Sequence, residues 1–222
     1  MVPYLKLHVV VDNEARPPFV GRWGLSIYLE TPSWKAFWDA NSDARAVKHN
    51  ARLLNVPLEV DYLIFSHRHW DHTGGAEAIR AKKVIAPDDP LFPIPTAERV
   101  PGPLKLDDGL YLSRTLEAEG IRERALVVDV KGYGQVMLVG CSHPGVHMLY
   151  RSVVEDFGFR PRAVIGGFHL ASKPKKEVDS VLHALYALGA EEVHPIHCSG
   201  NYAKALAKSD LMTGSVLVYG NV

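Results

Sequence analysis

One short segment constrains this chain more than any other. SHRHWDHTGG, residues 66–75, places three histidines and an aspartate within six positions, directly after the apolar run VDYLIF, which predicts a buried strand. Residues two apart on an extended chain point the same way, so His67 and His69 can present their imidazoles to one point. The chain must then turn, which brings Asp71 and His72 towards a neighbouring point. Neutral imidazole and carboxylate are ligands of Zn²⁺ and related divalent ions, so the segment predicts a metal site.

The residues after this segment predict how the chain leaves the site. Gly74 and Gly75 permit backbone conformations that other residues avoid. We expect a helix from Ala76 to Ala81 to follow them. A strand, a turn rich in ligands and a helix start are together typical of a metal-binding architecture.

Composition and charge limit the classes of protein that remain. A chain of 222 residues fits a single domain over 1–222. Lysine plus arginine and aspartate plus glutamate each number 25, so no net charge favours nucleic acid or an acidic membrane surface. No apolar stretch reaches the length of a membrane span or completes a signal peptide, so we expect a cytoplasmic protein. Only Cys141 and Cys198 occur, without CxxC spacing, which argues against a disulfide framework and a zinc ribbon.

Strands alternate with helices along the chain, which predicts an α/β fold. Apolar runs at 5–11, 24–30 and 35–38 predict strands, and two stretches have helical spacing. The prolines between 86 and 104 predict a long irregular surface loop. The helical stripes are Ala44, Val47, Ala51 and Leu54, and then Val178, Val181, Leu182, Leu185 and Leu188, which leaves His183 exposed to solvent.

Three further apolar strands end in turns that carry a histidine. VMLV leads to His143, AVI leads to His169, and the strand around Val193 leads to His197. Ligands of open α/β folds gather at the carboxyl ends of strands, so four such ends predict one shared site. For any one of these histidines, the alternative is a side chain satisfied by backbone hydrogen bonds.

These motifs carry a family resemblance. The pattern HxHxDH, formed by His67, His69, Asp71 and His72 and followed by TGG, resembles the signature of the metallo-β-lactamase superfamily. The order and spacing of other motifs are similar to one branch, labelled 7,8-dihydropterin-6-methyl-4-(β-D-ribofuranosyl)aminobenzene-5′-phosphate synthase-like metal-dependent hydrolases. Those motifs are VDN at 11–13, WGLS at 23–26, Asn50 with Leu53, Glu123 with Ala125 and Leu126, GCSHPG at 140–145, GGFHL at 166–170 and HCSG at 197–200.

The resemblance implies a fold and a set of ligands. The fold is a four-layer αββα sandwich, in which two mixed β-sheets pack face to face between helices. By position, His67, His69 and His143 correspond to the ligands of a first metal ion, and Asp71, His72 and His197 to those of a second. Asp39 corresponds to an aspartate that orients the site. His169 stands where most members with two metal ions have a bridging aspartate, so it binds one ion or faces the substrate.

The expected function is metal-dependent hydrolysis of an ester, amide or phosphoester by a metal-activated water. Asp71 would hold metal and accept a hydrogen bond from that water, and His169 would stabilise the oxyanion or leaving group. Zinc is the expected ion, at one or two per chain, with iron or manganese as alternatives. The expected partner is a small-molecule substrate, phosphorylated or not, with no nucleic acid or membrane involved; the oligomeric state is left open.

Two other functions remain open at this point. One is a transferase that condenses a dihydropterin with an aminobenzene ribosyl phosphate, and the other is a metal-binding protein without catalysis. The transferase needs an anion site, for which Arg68 is the preferred candidate. Arg22, Lys173, Lys175 and Lys176 are further candidates that we expect to be solvated surface charges. Cys141 and Cys198 flank two of the histidines, and we expect each to be a small buried filler.

Overall fold

The computed structural model describes residues 1–221. Within them, strands and helices alternate as the sequence predicts. The strands are β1 (Tyr4–Val11), β2 (Ser26–Glu30), β3 (Lys35–Trp38), β4 (Glu59–Ile64), β5 (Arg80–Pro87), β6 (Glu98–Val100), β7 (Leu104–Asp107), β8 (Leu110–Leu112), β9 (Leu116–Ala118), β10 (Ile121–Glu123), β11 (Leu126–Val130), β12 (Gly134–Val139), β13 (Ala163–Gly167), β14 (Glu192–Ile196) and β15 (Val216–Gly220). The α-helices are α1 (Ala44–Leu53), α2 (Trp70–Thr73), α3 (Val146–Phe157), α4 (Lys175–Leu188) and α5 (Gly200–Leu206).

Over residues 1–221, the strands form two large mixed sheets and one separate hairpin. The first sheet has the order β15-β1-β2-β3-β4-β5-β6, the second has the order β14-β13-β12-β11-β8-β7, and β9 pairs with β10. Strands β3 to β6 run parallel, as do β12, β13 and β14, whereas the other pairs of each sheet are antiparallel. These are the two mixed sheets of the predicted αββα sandwich.

Alternation along the strands divides the apolar side chains among three layers. Leu5, Leu7 and Val9 of β1 pack between the two sheets, together with Leu126 and Val128 of β11. Their neighbours in sequence point to the opposite faces, because successive side chains of a strand alternate. Val10 and Val11 both face the layer that contains α1, because an irregularity in the pairing of β1 with β2 between Val9 and Val11 interrupts the alternation. Val127 faces the layer that contains α3 and α4. The fold class predicted from the sequence is therefore confirmed.

Helix α1 lies where its apolar stripe predicts. Asp43 caps its first turn, since its Oδ1 accepts hydrogen bonds from the backbone N–H of Arg45 and Ala46 at 2.8 and 3.4 Å. Val47 and Ala51 are fully buried against the first sheet. In α4, Val178, Leu182 and Leu185 are buried while His183 is exposed, as expected.

The predicted helix from Ala76 to Ala81 is wrong. A single turn of 3₁₀-helix spans Ala76–Ala78, and β5 begins at Arg80. The strand forms because β4 offers a parallel edge, against which Val84 and Ile85 pair with Leu63 and Ile64. This pairing determines the local structure more strongly than the helix-forming residues Ala76 to Ala81 do.

The proline-rich segment 86–104 is only partly the irregular loop that its composition predicts. Its first two residues belong to β5, and β6 adds a parallel strand to the edge of the first sheet. Phe92 and Ala97 are buried against the layer that contains α1. The segment is therefore anchored to the first sheet at several points. Among residues 1–221, no helix is both long and apolar enough to cross a membrane.

Candidate metal centre

The predicted ligands follow the carboxyl ends of strands from both sheets. Parallel strands end at a common edge, and β4 carries the HxHxDH segment while β12, β13 and β14 carry the later histidines. A buried hydrogen bond joins the two edges, because Nε1 of Trp38 at the end of β3 donates to the carbonyl of Val139 at the end of β12 (3.2 Å). The loops of both sheets therefore converge on one place.

His67, His69 and His143 form the first group of candidate ligands. Each offers a ring nitrogen within 4.8 Å of the others, and their ring centroids lie 4.8 to 4.9 Å apart. Nδ1 of His67 lies 2.8 Å from Oγ of Ser66, but its Nε2 is buried and has no hydrogen-bond partner. A buried polar atom without a partner destabilises the fold, and a cation held by the three imidazoles would be a partner for this nitrogen. These residues therefore fit a divalent metal ion.

Asp71, His72, His197 and Cys141 form a second group, and all four residues are buried. The Nε2 atoms of His72 and His197 lie 3.2 Å apart. Oδ2 of Asp71 lies 3.3 Å from Nε2 of His197 and 3.6 Å from Nε2 of His72. The sequence predicts the histidines and the aspartate as ligands. Cys141 is buried as expected, yet its Sγ is also a member of this cluster of donor atoms.

Buried hydrogen bonds orient the imidazoles of the second group. Nδ1 of His72 lies 2.7 Å from Oδ2 of Asp39, whose carboxylate also accepts hydrogen bonds from the N–H and Oγ of Ser66. Nδ1 of His197 lies 3.0 Å from Oδ1 of Asn13. An imidazole that binds metal commonly donates its other N–H to such an acceptor. Both Nε2 atoms are thereby left facing the cluster.

Glu123, at the end of β10, supports the first group, and the sequence motif that contains it predicts no specific role. Its side chain is fully buried and accepts hydrogen bonds from the backbone N–H of Cys141, Ser142 and His143 at 2.7 to 2.8 Å. Its Oε2 also lies 2.8 Å from Nδ1 of His143. Two sequence signals indicate that Glu123 is important: it lies next to the apolar strand β11, and it belongs to a motif that carries the family resemblance.

Burial and neighbouring charges shift several pKa values in the cluster. Burial, reinforced by the charge of His72, lowers the pKa of His67 far below its ordinary value. Burial opposes the charged form of His72 as well, but the Asp39 carboxylate outweighs it and raises the pKa of His72 to about 9. Burial also works against the Asp71 carboxylate, yet the hydrogen bond with His197 and the charge of His72 lower its pKa. A neutral His67 and an ionised Asp71 are the forms that bind metal, whereas a protonated His72 must release its proton when it binds an ion.

His169 lies beside the first group rather than within it. Its ring centroid is 4.7 Å from that of His143, and it offers a ring nitrogen within 4.8 Å of donor atoms of Cys141 and His143. Its backbone N–H donates to Sγ of Cys198 (3.3 Å), and its φ of 54° is left-handed. His169 and His143 line the same cavity, whose volume is about 230 Å³. This position is compatible with contact to either an ion or a substrate.

The cationic candidates for an anion site differ in what they contact. Nη1 of Arg68 donates to Asp89 and to the carbonyl of Gly120, both at 2.8 Å, so the preferred candidate is already engaged. Arg22 pairs with Asp43 on the surface. Lys175 lies over the ring of Tyr202, whereas Lys173 lines the cavity that contains His143 and His169. Lys173 is therefore the candidate that the structure brings to the site.

Comparisons with known proteins agree with this fold. A sequence model of the metallo-beta-lactamase superfamily matches residues 40–105, which include the HxHxDH segment. The chain has the metallo-β-lactamase fold, and its resemblance to that superfamily is confirmed. It is similar to the 7,8-dihydropterin-6-methyl-4-(beta-D-ribofuranosyl)-aminobenzene-5'-phosphate synthase of Methanocaldococcus jannaschii, with 26% identity over 90% of this chain and 89% of that protein.

Solved structures also share the fold. Tm1679, described as a metal-dependent hydrolase of the beta-lactamase superfamily, superposes with a TM-score of 0.80 at 24% identity, over 98% of this chain and all of that one. The metallo-beta-lactamase fold protein YhfI of Bacillus subtilis superposes with a TM-score of 0.64 at 15% identity, over 97% of this chain and 100% of that one. At these identities the likeness concerns the fold alone.

Proposed function

We propose that this protein is a metal-dependent hydrolase that uses a metal-activated water on an ester, amide or phosphoester. The observation that carries the proposal is the first group of ligands, in which ring nitrogens of His67, His69 and His143 lie within 4.8 Å of one another and the buried Nε2 of His67 has no hydrogen-bond partner. Three protein ligands leave a further position open, as catalytic sites do. A divalent ion bound there would lower the pKa of a water molecule towards neutrality and polarise the group under attack.

The surrounding side chains have distinct roles in this proposal. Asp71 accepts a hydrogen bond from the attacking water and thereby orients it. Glu123 fixes the ring of His143 through Nδ1, which directs Nε2 of that ring to the ion. His169 lines the adjoining cavity, where it donates a proton or a hydrogen bond to the leaving group.

The adjoining cavity suits a small substrate. Its volume of about 230 Å³ is at the small end for ligand sites, and Phe168, Leu170 and Val181 supply apolar lining. The ammonium group of Lys173 lies at the same cavity and pairs with Glu177 at 3.2 Å, with both side chains partly exposed. An exposed pair of this kind is weak, so Lys173 can exchange Glu177 for a substrate phosphate.

The experiment is hydrolysis by protein purified without chelator and reconstituted with zinc. The substrates are p-nitrophenyl esters, anilides and phosphodiesters, and the variants are His69→Ala and Asp71→Ala. We expect turnover by the wild type and its loss in both variants, with unchanged far-UV circular dichroism. His183→Ala, which removes an exposed histidine of α4, is the control and should retain full activity. Full activity in both site variants would contradict the proposal.

A second candidate is a transferase that condenses a dihydropterin with an aminobenzene ribosyl phosphate. The name of the Methanocaldococcus jannaschii relative favours it. The ring of Trp23 is 54% exposed and lies 5.1 Å from that of His197, so it offers a free aromatic face beside the site. The ammonium group of Lys173 would bind the phosphate of the ribosyl phosphate substrate.

Incubation with both transferase substrates, followed by mass spectrometry, separates the two candidate functions. The condensed product, without hydrolysis of the simple substrates, would support transfer. Hydrolysis alone would support the hydrolase. Metal binding with neither reaction would favour the alternative of a metal-binding protein without catalysis.

A further inference from the structure

Cys141 occupies a position that its expected role as a filler does not explain. It lies in the loop after β12, two residues before His143, and is 4% exposed. Its Sγ is 3.1 Å from Nε2 of His72 and 3.4 Å from Nε2 of His197. These are the two nitrogens that Asp39 and Asn13 leave facing the second group of ligands. The thiol therefore points into that group rather than into apolar side chains.

The separations among these donor atoms match the edges of a tetrahedron around one ion. Zinc binds nitrogen and oxygen at about 2.0–2.2 Å and sulfur at about 2.3 Å, so tetrahedral ligand atoms lie about 3.3–3.7 Å apart. Five of the six separations are 3.1 and 3.4 Å from the sulfur to the imidazoles, 3.2 Å between the imidazoles, and 3.3 and 3.6 Å from the imidazoles to the Asp71 carboxylate. The sixth, between the sulfur and that carboxylate, is at most 4.8 Å. The separations among nitrogen and oxygen atoms lie within about 0.2 Å of the tetrahedral range, and the two sulfur–nitrogen separations are about 0.2–0.5 Å shorter than the edge of about 3.6 Å expected for sulfur and nitrogen.

The geometry points to Cys141 as the fourth ligand of the second metal ion, completing a set with Asp71, His72 and His197. The inference rests on the proposed metal centre but not on the reaction that this centre performs. On binding, the thiol loses its proton to solvent and coordinates as thiolate. Four protein ligands close this site, whereas the three imidazoles of the first group leave theirs open. The second ion is thereby structural in character, and activation of water belongs to the first.

Cys198 is a useful comparison because it is also buried beside the site. Its Sγ accepts a hydrogen bond from the N–H of His169 at 3.3 Å and donates to the carbonyl of Cys141 at 3.7 Å. Within residues 1–221, it belongs to none of the clusters of three or more candidate ligands. Cys198→Ser is therefore a matched control for Cys141→Ser.

The test uses cobalt as a spectroscopic replacement for zinc. Wild type, Cys141→Ser and Cys198→Ser are reconstituted with Co²⁺ in the presence of a phosphine reductant that keeps both thiols free. A thiolate bound to Co²⁺ gives an intense near-ultraviolet charge-transfer band that imidazole and carboxylate do not give. We expect this band in the wild type and in Cys198→Ser, and its loss in Cys141→Ser.

A second readout measures zinc itself. Wild type should retain two equivalents of zinc in a chelator competition. In Cys141→Ser, one of the two equivalents should bind at least about tenfold more weakly and be lost to the chelator first. Zinc should also protect Cys141 of the wild type from alkylation, as read by peptide mass spectrometry. Absence of the band from the wild type, or its persistence in Cys141→Ser, would overturn the assignment.

Turnover is not used in this test, so the assignment and the proposed hydrolase can fail separately. Cys141→Ala serves as a second variant if the serine hydroxyl itself binds the ion. It should also lack the band, and its circular dichroism establishes whether the fold is kept. A folded Cys141→Ala protein with the wild-type band would equally overturn the assignment.

Discussion

Oε2 of Glu123 lies 2.8 Å from Nδ1 of His143 and accepts a hydrogen bond from the backbone N–H of the same residue. One buried carboxylate thus fixes both the loop and the ring of a candidate ligand. Burial works against its charge, but the neighbouring imidazole of His67 and the hydrogen bond with His143 lower the pKa of Glu123. The carboxylate therefore stays ionised, and its two oxygens remain hydrogen-bond acceptors for the loop and the ring of His143.

Replacing Glu123 by glutamine should weaken the first metal site. The amide would turn an N–H group towards backbone donors that now face a carboxylate, so the loop and the ring of His143 lose their orientation. We expect the affinity for zinc to fall about 10- to 100-fold, measured by competition with a chromophoric chelator. Glu155→Gln, at an exposed position of α3 that pairs with Arg114, should leave the affinity unchanged. An equal affinity in both variants would contradict the role of Glu123.

Asp39→Asn should act on the second metal site. Asp39 has a left-handed φ of 57°, which asparagine also tolerates, so the backbone is expected to persist. The change removes the carboxylate that accepts a hydrogen bond from Nδ1 of His72. The ring can then carry its proton on Nε2, and that tautomer cannot bind the ion through Nε2. We expect one of two zinc equivalents to bind about 10- to 100-fold more weakly, read by metal analysis after dialysis against graded chelator.

The control for Asp39 is Asp61→Asn, because the side chain of Asp61 on β4 is partly exposed and pairs with Lys82. That variant should bind both zinc equivalents as the wild type does. Two tightly held equivalents in Asp39→Asn would show that His72 needs no carboxylate partner.

The convergence of the histidines could be predicted because it follows from local signals. Each one comes directly after an apolar run, and the carboxyl ends of parallel strands lie at one edge. The partners that orient the rings could not be predicted in this way. Asn13 lies 184 positions from His197 in the chain, and the two meet only because the segment after β1 contacts the turn after β14. No periodicity in the sequence records such a contact.

The wrong helix prediction and the contact of Cys141 with His72 have the same physical origin. The segment from Ala76 has helix-forming residues, but the free edge of β4 recruits Arg80–Pro87 as a strand. Cys141 is a small residue of the kind that fills space in a core. Its orientation towards His72 depends on the hydrogen bond that its backbone N–H donates to Glu123. In both cases a contact with a distant part of the chain decides the outcome, so local sequence is insufficient.

Asn50 should contribute strongly to stability, because its buried side chain joins α1 to β1. Its Oδ1 accepts from the N–H of Val20 at 2.9 Å, and its Nδ2 donates to the carbonyls of Val10 and Val20 at 2.8 Å. Asn50→Leu leaves these buried groups without partners, and we expect a loss of about 2–4 kcal/mol in urea unfolding. Lys48→Ala, at an exposed position of the same helix, should change the stability by less than about 0.5 kcal/mol. A loss as small as that of the control would contradict this role of Asn50.

Asp43 should make the stability of α1 depend on pH. Slight burial works against its charge, but the backbone N–H groups of Arg45 and Ala46 hold the pKa of the Asp43 carboxyl below its ordinary value. A lowered pKa in the folded state stabilises the protein above the unfolded pKa of about 3.9, and this contribution is lost as the pH falls through the folded value. Asp43→Ala should therefore cost about 1 kcal/mol near neutral pH, from loss of the cap, and less in acid.

Asp43→Asn separates the hydrogen bond of the cap from its charge. Asparagine caps helices about as well as aspartate but does not titrate, so the difference between the Asn and Ala variants should stay constant with pH. The measurement is urea unfolding of all three proteins in chelator, so that loss of metal in acid does not contribute. A difference between wild type and Asp43→Ala that stays unchanged from about pH 7 to about pH 3 would contradict the assignment of this carboxylate as a titrating cap.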